Sequence, residues 1–324
     1  MKRALITGGA GFIGSTLADR LAADGVEVVV FDNFSTGRRE FVAGLMEQHD
    51  ATVIEGDVLD QLALRSAIEG CDVVFHLAAN ADVRHGTERP RRDLEQNTIA
   101  TSNVLEAMRE MGTSRIVFSS TGSIYGEPDV FPTPETCPFP VQTSLYGASK
   151  LAGEGLIQAY SHGLGFTGVV FRFVSVLGER YTHGHVVDFY RALKRDPSKL
   201  HVLGDGMQEK SYLYVQDCID GMLAGLGANF EREGHSEVYN LGTDETIVVD
   251  DSVARITAHM GLDPEIEHAG GRRGWPGDSP LIHLDCSKLR STGWAPRLTI
   301  GEAIERTLVW FDRNPELLEE HERA

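Results

Sequence analysis

Tyr146 and Lys150 place a phenol and a primary amine four residues apart at the head of an amphipathic stretch. On a helix that spacing puts both groups on one face about a turn apart, where the ammonium favours the phenolate and draws the tyrosine toward the range of a general base. The same spacing occurs on many ordinary helices as a surface pair, so it carries chemistry only in context. Context comes from Thr7-Gly8-Gly9-Ala10-Gly11-Phe12-Ile13-Gly14, which follows an apolar run and precedes a helical pattern. Glycines there let a pyrophosphate reach the backbone amides at a helix N-terminus, and the last one lets helix and strand pack closely. Asp32 closes the next apolar run, eighteen residues after Gly14. A carboxylate there accepts hydrogen bonds from both adenosine ribose hydroxyls and repels a 2′-phosphate, which favours NAD over NADP. Asp32 has a second reading as an Asx turn before Asn33. Arg38 and Arg39 keep NADP open, although solvated charges at a helix start are the plainer reading of both.

These groups need elements to hold them. Short apolar runs alternate with amphipathic stretches through the first half, the pattern of βαβ units feeding a parallel sheet. The spacing predicts strands over residues 4–6, 26–31, 52–55, 73–76, 115–119 and 168–173, and helices over 13–23, 61–68, 94–111 and 146–161. Pro128, Pro132, Pro134, Pro138 and Pro140 predict an extended loop before the last helix. The expected fold class is α/β, a Rossmann-type doubly wound parallel sheet with a smaller C-terminal α/β substrate-binding domain. The first domain is expected mainly over 1–174 and the second mainly over 175–324, with some segments returning to the first. The acidic end, 315–324, is expected to fray or to form a short exposed helix.

The 324 residues carry a net charge of −18, which repels nucleic acids and anionic membrane surfaces and excludes both as partners. An anionic substrate then requires local cations at the site. No run approaches a membrane span, and the glycine-rich opening reads as a buried strand and not as a signal peptide. Cys71, Cys137, Cys218 and Cys286 lie far apart, which argues against a disulfide framework or structural zinc and for a reducing cytoplasm. The twelve histidines show no ligand spacing, so no metal is expected.

With the glycine fingerprint, His76-Leu77-Ala78-Ala79, Ser119-Ser120-Thr121-Gly122-Ser123-Ile124-Tyr125-Gly126 and Tyr146-Gly147-Ala148-Ser149-Lys150 in that order, the chain resembles the extended short-chain dehydrogenase/reductase family over essentially its whole length. The resemblance implies Tyr146 as acid/base, Lys150 as its support and holder of the nicotinamide ribose, and Thr121 as the hydroxyl that bonds the reacting sugar oxygen. It implies NAD as cofactor, held by Gly8, Gly11, Phe12, Ile13 and Gly14, and by Asp32 with Asn33, Ser35, Thr36 and Gly37. Asp57 and Val58 would line the adenine, Leu77, Ala78 and Ala79 the wall behind the dinucleotide, with Asn97 and Ser119 completing the pocket. A nucleotide-sugar substrate would meet Arg84, Thr121, Gly122, Ser123, Ser175, Val187, Lys210, Tyr212, Arg273 and Asp278. Helices 94–111 and 146–161 would pair with their copies in a homodimer.

Nucleotide-sugar 4,6-dehydratases of this family carry an Asp-Glu pair directly after the threonine, because eliminating water needs an extra acid and base. Gly122-Ser123 stands there instead. The resemblance therefore points to a 4-epimerase, in which hydride is removed from C4 and returned through a 4-keto sugar on a retained cofactor. The second half resembles UDP-hexose 4-epimerases through Arg172-Phe173-Val174-Ser175-Val176-Leu177-Gly178, the stretch 203–212 and Arg273-Gly274-Trp275-Pro276-Gly277-Asp278. Lys210 and Arg273 would neutralise the diphosphate, and residues 186–203 would cover the uracil. Two positions depart from the pattern: Ser175 stands where many relatives have asparagine, and Lys210 where many have arginine. Relatives acting on UDP-glucuronate carry a hydroxyl residue at the first position and an arginine seven residues on. Thr182 stands at that later position, with Arg180, His183 and His185 close by, so UDP-glucuronate is the runner-up substrate. A dehydrogenase that releases NADH would share every cofactor residue, and a non-catalytic NAD-binding scaffold would have no need of Thr121, Tyr146 and Lys150 together.

Overall fold

The computed structural model describes residues 1–49, 51–80, 88–139, 141–275 and 277–318. Ala4, Ile6, Val28, Val30 and Phe75 pack into one apolar cluster, while Leu5, Val29, Phe31 and Val74 pack into another. Alternate side chains leave a strand on opposite faces, so consecutive apolar residues feeding two clusters mean a sheet covered on both sides. The first half supplies β1 (Arg3–Thr7), α1 (Phe12–Ala23), β2 (Glu27–Asp32), α2 (Glu40–His49), β3 (Thr52–Glu55), α3 (Gln61–Ile68) and β4 (Val73–His76). It continues through α4 (Pro90–Asp93), α5 (Ala100–Met111), β5 (Arg115–Thr121), α6 (Leu145–Leu164) and β6 (Thr167–Phe173). The second half adds β7 (Ser175–Leu177), α7 (His185–Arg195), β8 (Lys199–Val202), β9 (Glu209–Lys210), β10 (Tyr212–Tyr214), α8 (Val215–Asn229) and β11 (His235–Leu241). It ends with β12 (Ile247–Val248), α9 (Val249–Met260), β13 (Glu265–His268), β14 (Leu281–Ile282), α10 (Ser287–Arg290) and α11 (Ile300–Arg313).

The main sheet has the order β11-β6-β5-β4-β1-β2-β3, with every pairing parallel. This is the doubly wound Rossmann-type arrangement. The strand order reverses between β1 and β4, which opens a crevice at the C-terminal ends of the strands. The second half contributes β11, paired along β6 from Thr167 to Phe173, and α8, packed on α1 and β6. Smaller sheets, β7 with β10, β9 between β12 and β14, and β8 with β13, make up the remainder with α7, α9 and α11.

Several expectations change on contact with the tertiary structure. The single helix expected over 94–111 is a π-helical turn, Leu94–Ile99, running into α5. The helix expected to start near Arg38 and Arg39 is α2, and it buries Phe41, Val42 and Leu45. The proline-rich segment is held to the second half, since the Thr133 amide donates to the His283 carbonyl at 2.9 Å and the Asp285 amide to the Thr133 carbonyl at 2.9 Å. At the acidic end, Pro315–Leu318 is a 3₁₀ turn whose Leu318 is buried, with its carbonyl accepting from Arg191 Nε at 2.6 Å. Leu318 is thus an apolar anchor under an otherwise exposed turn, and the rest of the expected segment, residues 319–324, lies outside the described residues. All four cysteines are free. No described helix is long and apolar enough to cross a membrane.

Candidate active site

The crevice begins where β1 turns into α1. Gly8 has φ +69°, and a Cβ on it would lie 2.7 Å from the Ala78 amide nitrogen; one on Gly14 would lie 2.2 Å from the Gly8 carbonyl oxygen. Gly11 caps α1 without a side-chain bond, and the first turn holds no acidic residue, so its amides are available to an anion. Asp32, 7% exposed, ends β2 with Oδ2 accepting from the Ala10 amide at 2.9 Å and Oδ1 from the Phe34 amide at 2.8 Å. The second bond is an Asx turn, so both readings of Asp32 hold together: the turn aims the carboxylate at the glycine loop. Burial pushes its pKa up and the two amides oppose that.

Around Asp32, Gly37 fits because a Cβ would stand 2.8 Å from Asp32 Oδ1. Asn33 Nδ2 donates to Asp57 Oδ2 at 3.0 Å and its Oδ1 accepts from the Ser35 amide at 3.0 Å, which joins the ends of β2 and β3; Thr36 is exposed. Val58 is buried, and Leu77, Ala78 and Ala79 are half-buried at the end of β4. Phe12 is buried edge-on against Tyr181, with ring centroids 5.7 Å apart, and Ile13 is half-buried. The reading of Arg38 as a solvated charge is corrected: it is 6% exposed, because its amide donates to the Ala10 carbonyl and draws it against the glycine loop. Arg39 is exposed and pairs with Glu55 at 2.6 Å.

Behind this loop runs a chain of hydrogen bonds with a defined sense. Thr101 Oγ1 donates to the Asn97 carbonyl at 2.5 Å, which leaves it to accept from His76 Nε2 at 3.1 Å; His76 Nδ1 then accepts from Thr7 Oγ1 at 2.7 Å. His76 is fully buried, and burial first and Lys150 second hold its pKa down to about 3, so the ring is neutral. Asn97, in the π turn, accepts from the Asn80 amide at 2.8 Å and donates to Ser149 Oγ at 2.8 Å, tying the end of β4 to α6. A π turn widens the helix locally, which is how it presents Asn97 in both directions.

Ser144 starts α6 by accepting the Gly147 amide at 3.0 Å. A Cβ on Gly147 would lie 2.8 Å from the Ser123 carbonyl oxygen, so the head of α6 is seated on the 3₁₀ turn Gly122–Tyr125 that follows β5. Thr121 caps that turn; its Oγ1 accepts from the Ser123 amide at 3.1 Å and donates to Ser123 Oγ at 3.2 Å. Ser119 Oγ donates to the His76 carbonyl at 3.3 Å. The structure thus seats the head of α6, which carries Tyr146, on the turn that follows Thr121. Lys150, 1% exposed, lies with Nζ 4.6 Å from the Phe118 ring centroid, and burial drives its pKa down to about 7. Tyr146 is half-buried, and its pKa stands above the ordinary tyrosine value, through burial first and Asp93 second. This corrects the expectation of a lowered tyrosine: in the protein alone, burial and Asp93 both disfavour the phenolate.

On the substrate side, the register of β7 with β10 sets exposed Ser175 opposite Tyr212, whose hydroxyl lies 3.0 Å from His185 Nδ1. Burial and then Lys210 hold His185 down to about 4. Val187 is fully buried in the core on α7. Lys210 and Arg273 do come together, but as a compensated cluster and not as a bare positive field. Lys210 Nζ pairs with Asp278 Oδ1 at 2.8 Å, Arg273 Nη1 donates to the Asp278 carbonyl at 2.9 Å, and Arg273 pairs with Glu127. Arg84 lies outside the described residues.

Residues 4–242 match the model of the NAD dependent epimerase/dehydratase family. The chain belongs to that family. It is 32% identical to the putative UDP-glucose 4-epimerase of Methanocaldococcus jannaschii, over 96% of this chain and 98% of that one. Among solved structures, it is similar to a UDP-galactose 4-epimerase (38% identity, TM-score 0.86, covering 96% and 99%) and to the Thermus thermophilus UDP-glucose 4-epimerase in complex with NAD (35%, TM-score 0.83, 96% and 99%). As in other NAD-dependent epimerases and dehydratases, the cofactor is NAD, and the crevice fits it: glycines packed too closely for a Cβ, open amides on α1, and a buried carboxylate at the end of β2. Sequence reasoning gave no role to His76, Asn80, Glu154 or Arg172 in this epimerase-family site. His76 and Arg172 stand within the sequence motifs, but a partner far along the chain is what defines each of them.

Proposed function

We propose that the chain is a 4-epimerase of a UDP-hexose of the UDP-glucose/UDP-galactose type, using Tyr146, Lys150 and Thr121. One observation carries this reading. The turn after Thr121 holds Gly122 and Ser123, and its ionisable group, Tyr125, is committed to Asn240 at 2.8 Å and Arg172 at 2.7 Å, with burial pushing its phenol up to about 12. That turn supplies no acid or base for an elimination. Tyr146 suffices to remove one hydroxyl proton and return it, Thr121 bonds the reacting oxygen, and Lys150 supplies the charge that stabilises the phenolate. When bound, NAD supplies the acceptor and donor for the C4 hydrogen. Small side chains at Gly122 and Ser123 leave the 4-keto sugar room to present its other face. Lys210 and Arg273 would hold the diphosphate, with Asp278 orienting Lys210 and with Ser175 and Tyr212 near the nucleotide sugar. The activities named for the relatives above support the same reading.

A neutral hexose is favoured over glucuronate by the groups beside Ser175. Arg180 is paired with Asp19 on α1 at 2.7 Å, and His185 is held neutral, so neither is placed as a cation for a sugar carboxylate. We place the enzyme in the cytoplasm as a homodimer, with residues after 175, apart from β11 and α8, forming the substrate-binding part. Free cysteines support the compartment, and exposed Leu94 and Ile99 before α5 support self-association.

Purified protein incubated without added cofactor with UDP-glucose, UDP-N-acetylglucosamine or UDP-glucuronate, and resolved by anion-exchange chromatography, tests the proposal. UDP-glucose should convert fastest to its C4 epimer, and Tyr146→Phe should lose at least about 100-fold in rate. If no sugar nucleotide epimerises and added NAD is reduced instead, the protein is a dehydrogenase.

A further inference from the structure

The stripe bearing Tyr146 and Lys150 continues one turn further along α6 to Glu154. Lys150 and Glu154 are each 1% exposed. A carboxylate this deep requires partners. Ser120 Oγ donates to Glu154 Oε1, Arg172 Nε donates to Oε1 at 3.1 Å, and Arg172 Nη2 donates to Oε2 at 2.8 Å. Arg172, on β6, is itself anchored through Nη1 to Tyr125 Oη at 2.7 Å and to the Glu135 carbonyl at 3.1 Å. The pair therefore has an orientation, with Glu154 on the Lys150 helix and the guanidinium held from the neighbouring strand. Well-packed apolar residues often replace a buried ion pair at no loss of stability, so a pair beneath a catalytic lysine calls for another explanation.

The groups on the other elements packed against α6 do not balance the Lys150 charge. Phe118 on β5 presents a ring face, and His76 on β4 is neutral. Asp93 on α4 accepts from Asn80 Nδ2 at 2.8 Å and acts on Tyr146. Glu106 on α5 is bound to Tyr160, and Glu237 on β11 to Lys288. Burial drives the Lys150 ammonium down to about 7, and Glu154 is the group that opposes it.

We propose that the buried Glu154–Arg172 pair is a positioning element of the active centre: Glu154 supports the charge and the placement of Lys150, one helical turn from Tyr146, and Arg172 holds Glu154 in place. Only its consequence for turnover rests on the function proposed above.

The direct test is NMR titration of protein labelled with ¹³C at lysine Cε, with the Lys150 signal assigned by its loss in Lys150→Arg. Glu154→Gln should lower the Lys150 midpoint by about one pH unit, because the Arg172 charge is left unopposed. The double variant Glu154→Gln/Arg172→Gln, with both charges gone, should recover part of that shift. The alkaline limb of the UDP-glucose conversion rate should move with the midpoint. An unchanged midpoint in folded Glu154→Gln overturns the proposal, as does a double variant displaced further than the single one, which marks a packing effect. Should Glu154→Gln fail to fold, the double variant decides: a midpoint below wild type supports the proposal, and one equal or higher overturns it. If the midpoint shifts as expected while the rate profile stays fixed, the pair's role stands and the proposed function of Lys150 falls.

Discussion

A methyl group on Gly14 would sit 2.2 Å from the backbone oxygen of Gly8, a contact that no rotamer change can relieve. Gly14→Ala should therefore reduce co-purifying NAD at least about tenfold, measured after acid release, because the loop must open where the pyrophosphate binds. Lys150 has a different kind of cost. Its pKa is near 7 when folded and near 10.5 as a free side chain, so the unfolded chain binds more protons between those values. Stability from this group then rises with pH across that window, and the burial penalty is felt in full below pH 7. Lys150→Met should raise the melting temperature of the cofactor-free protein more at pH 7 than at pH 10 while abolishing epimerisation. An equal effect at both pH values would show that Lys150 is not a buried, destabilised amine.

Helix α6 is where local sequence and distant chain meet. Its start is set by Ser144, and Ser144→Ala should cost about 1 kcal/mol in denaturant unfolding, as loss of an N-cap does. Its seat on the turn Gly122–Tyr125 is set by Gly147, which approaches the Ser123 carbonyl oxygen too closely for a side chain. Gly147→Ala should displace Tyr146 from Thr121 and lower kcat more than about tenfold with NAD still bound, since small misplacements at a reacting group are costly. Retention of full kcat would mean the turn yields. The π turn Leu94–Ile99 is the companion device, since it holds Asn97 between Asn80 and Ser149.

For the molecule as a whole, the acidic charge and the exposed apolar residues make opposite demands on association. Leu94 is 48% exposed and Ile99 41% exposed on the turn leading into α5. If that face pairs with its copy, Leu94→Glu/Ile99→Glu should convert a dimer to a monomer in light scattering, with NAD content unchanged. A wild-type monomer would dismiss the homodimer.

Much of the sheet was legible because β strands and crossover helices announce themselves locally: 52–55, 73–76 and 61–68 coincide with β3, β4 and α3. The glycine loop, Asp32 and the Tyr146–Lys150 spacing were legible for the same reason, since turn geometry and helical period act over a few residues. The sequence by itself determined the parallel βαβ order and the residue types that could bind a dinucleotide and move a proton. Tertiary structure alone decided that Lys210 meets Asp278, 68 positions away, that Val187 turns into the core, and that β11 returns to the sheet edge. It also decided that Arg38 is buried, and that Glu154 and Arg172 stand under Lys150. The physical reason is that burial and charge pairing depend on neighbours brought in from far along the chain, and no local period encodes them.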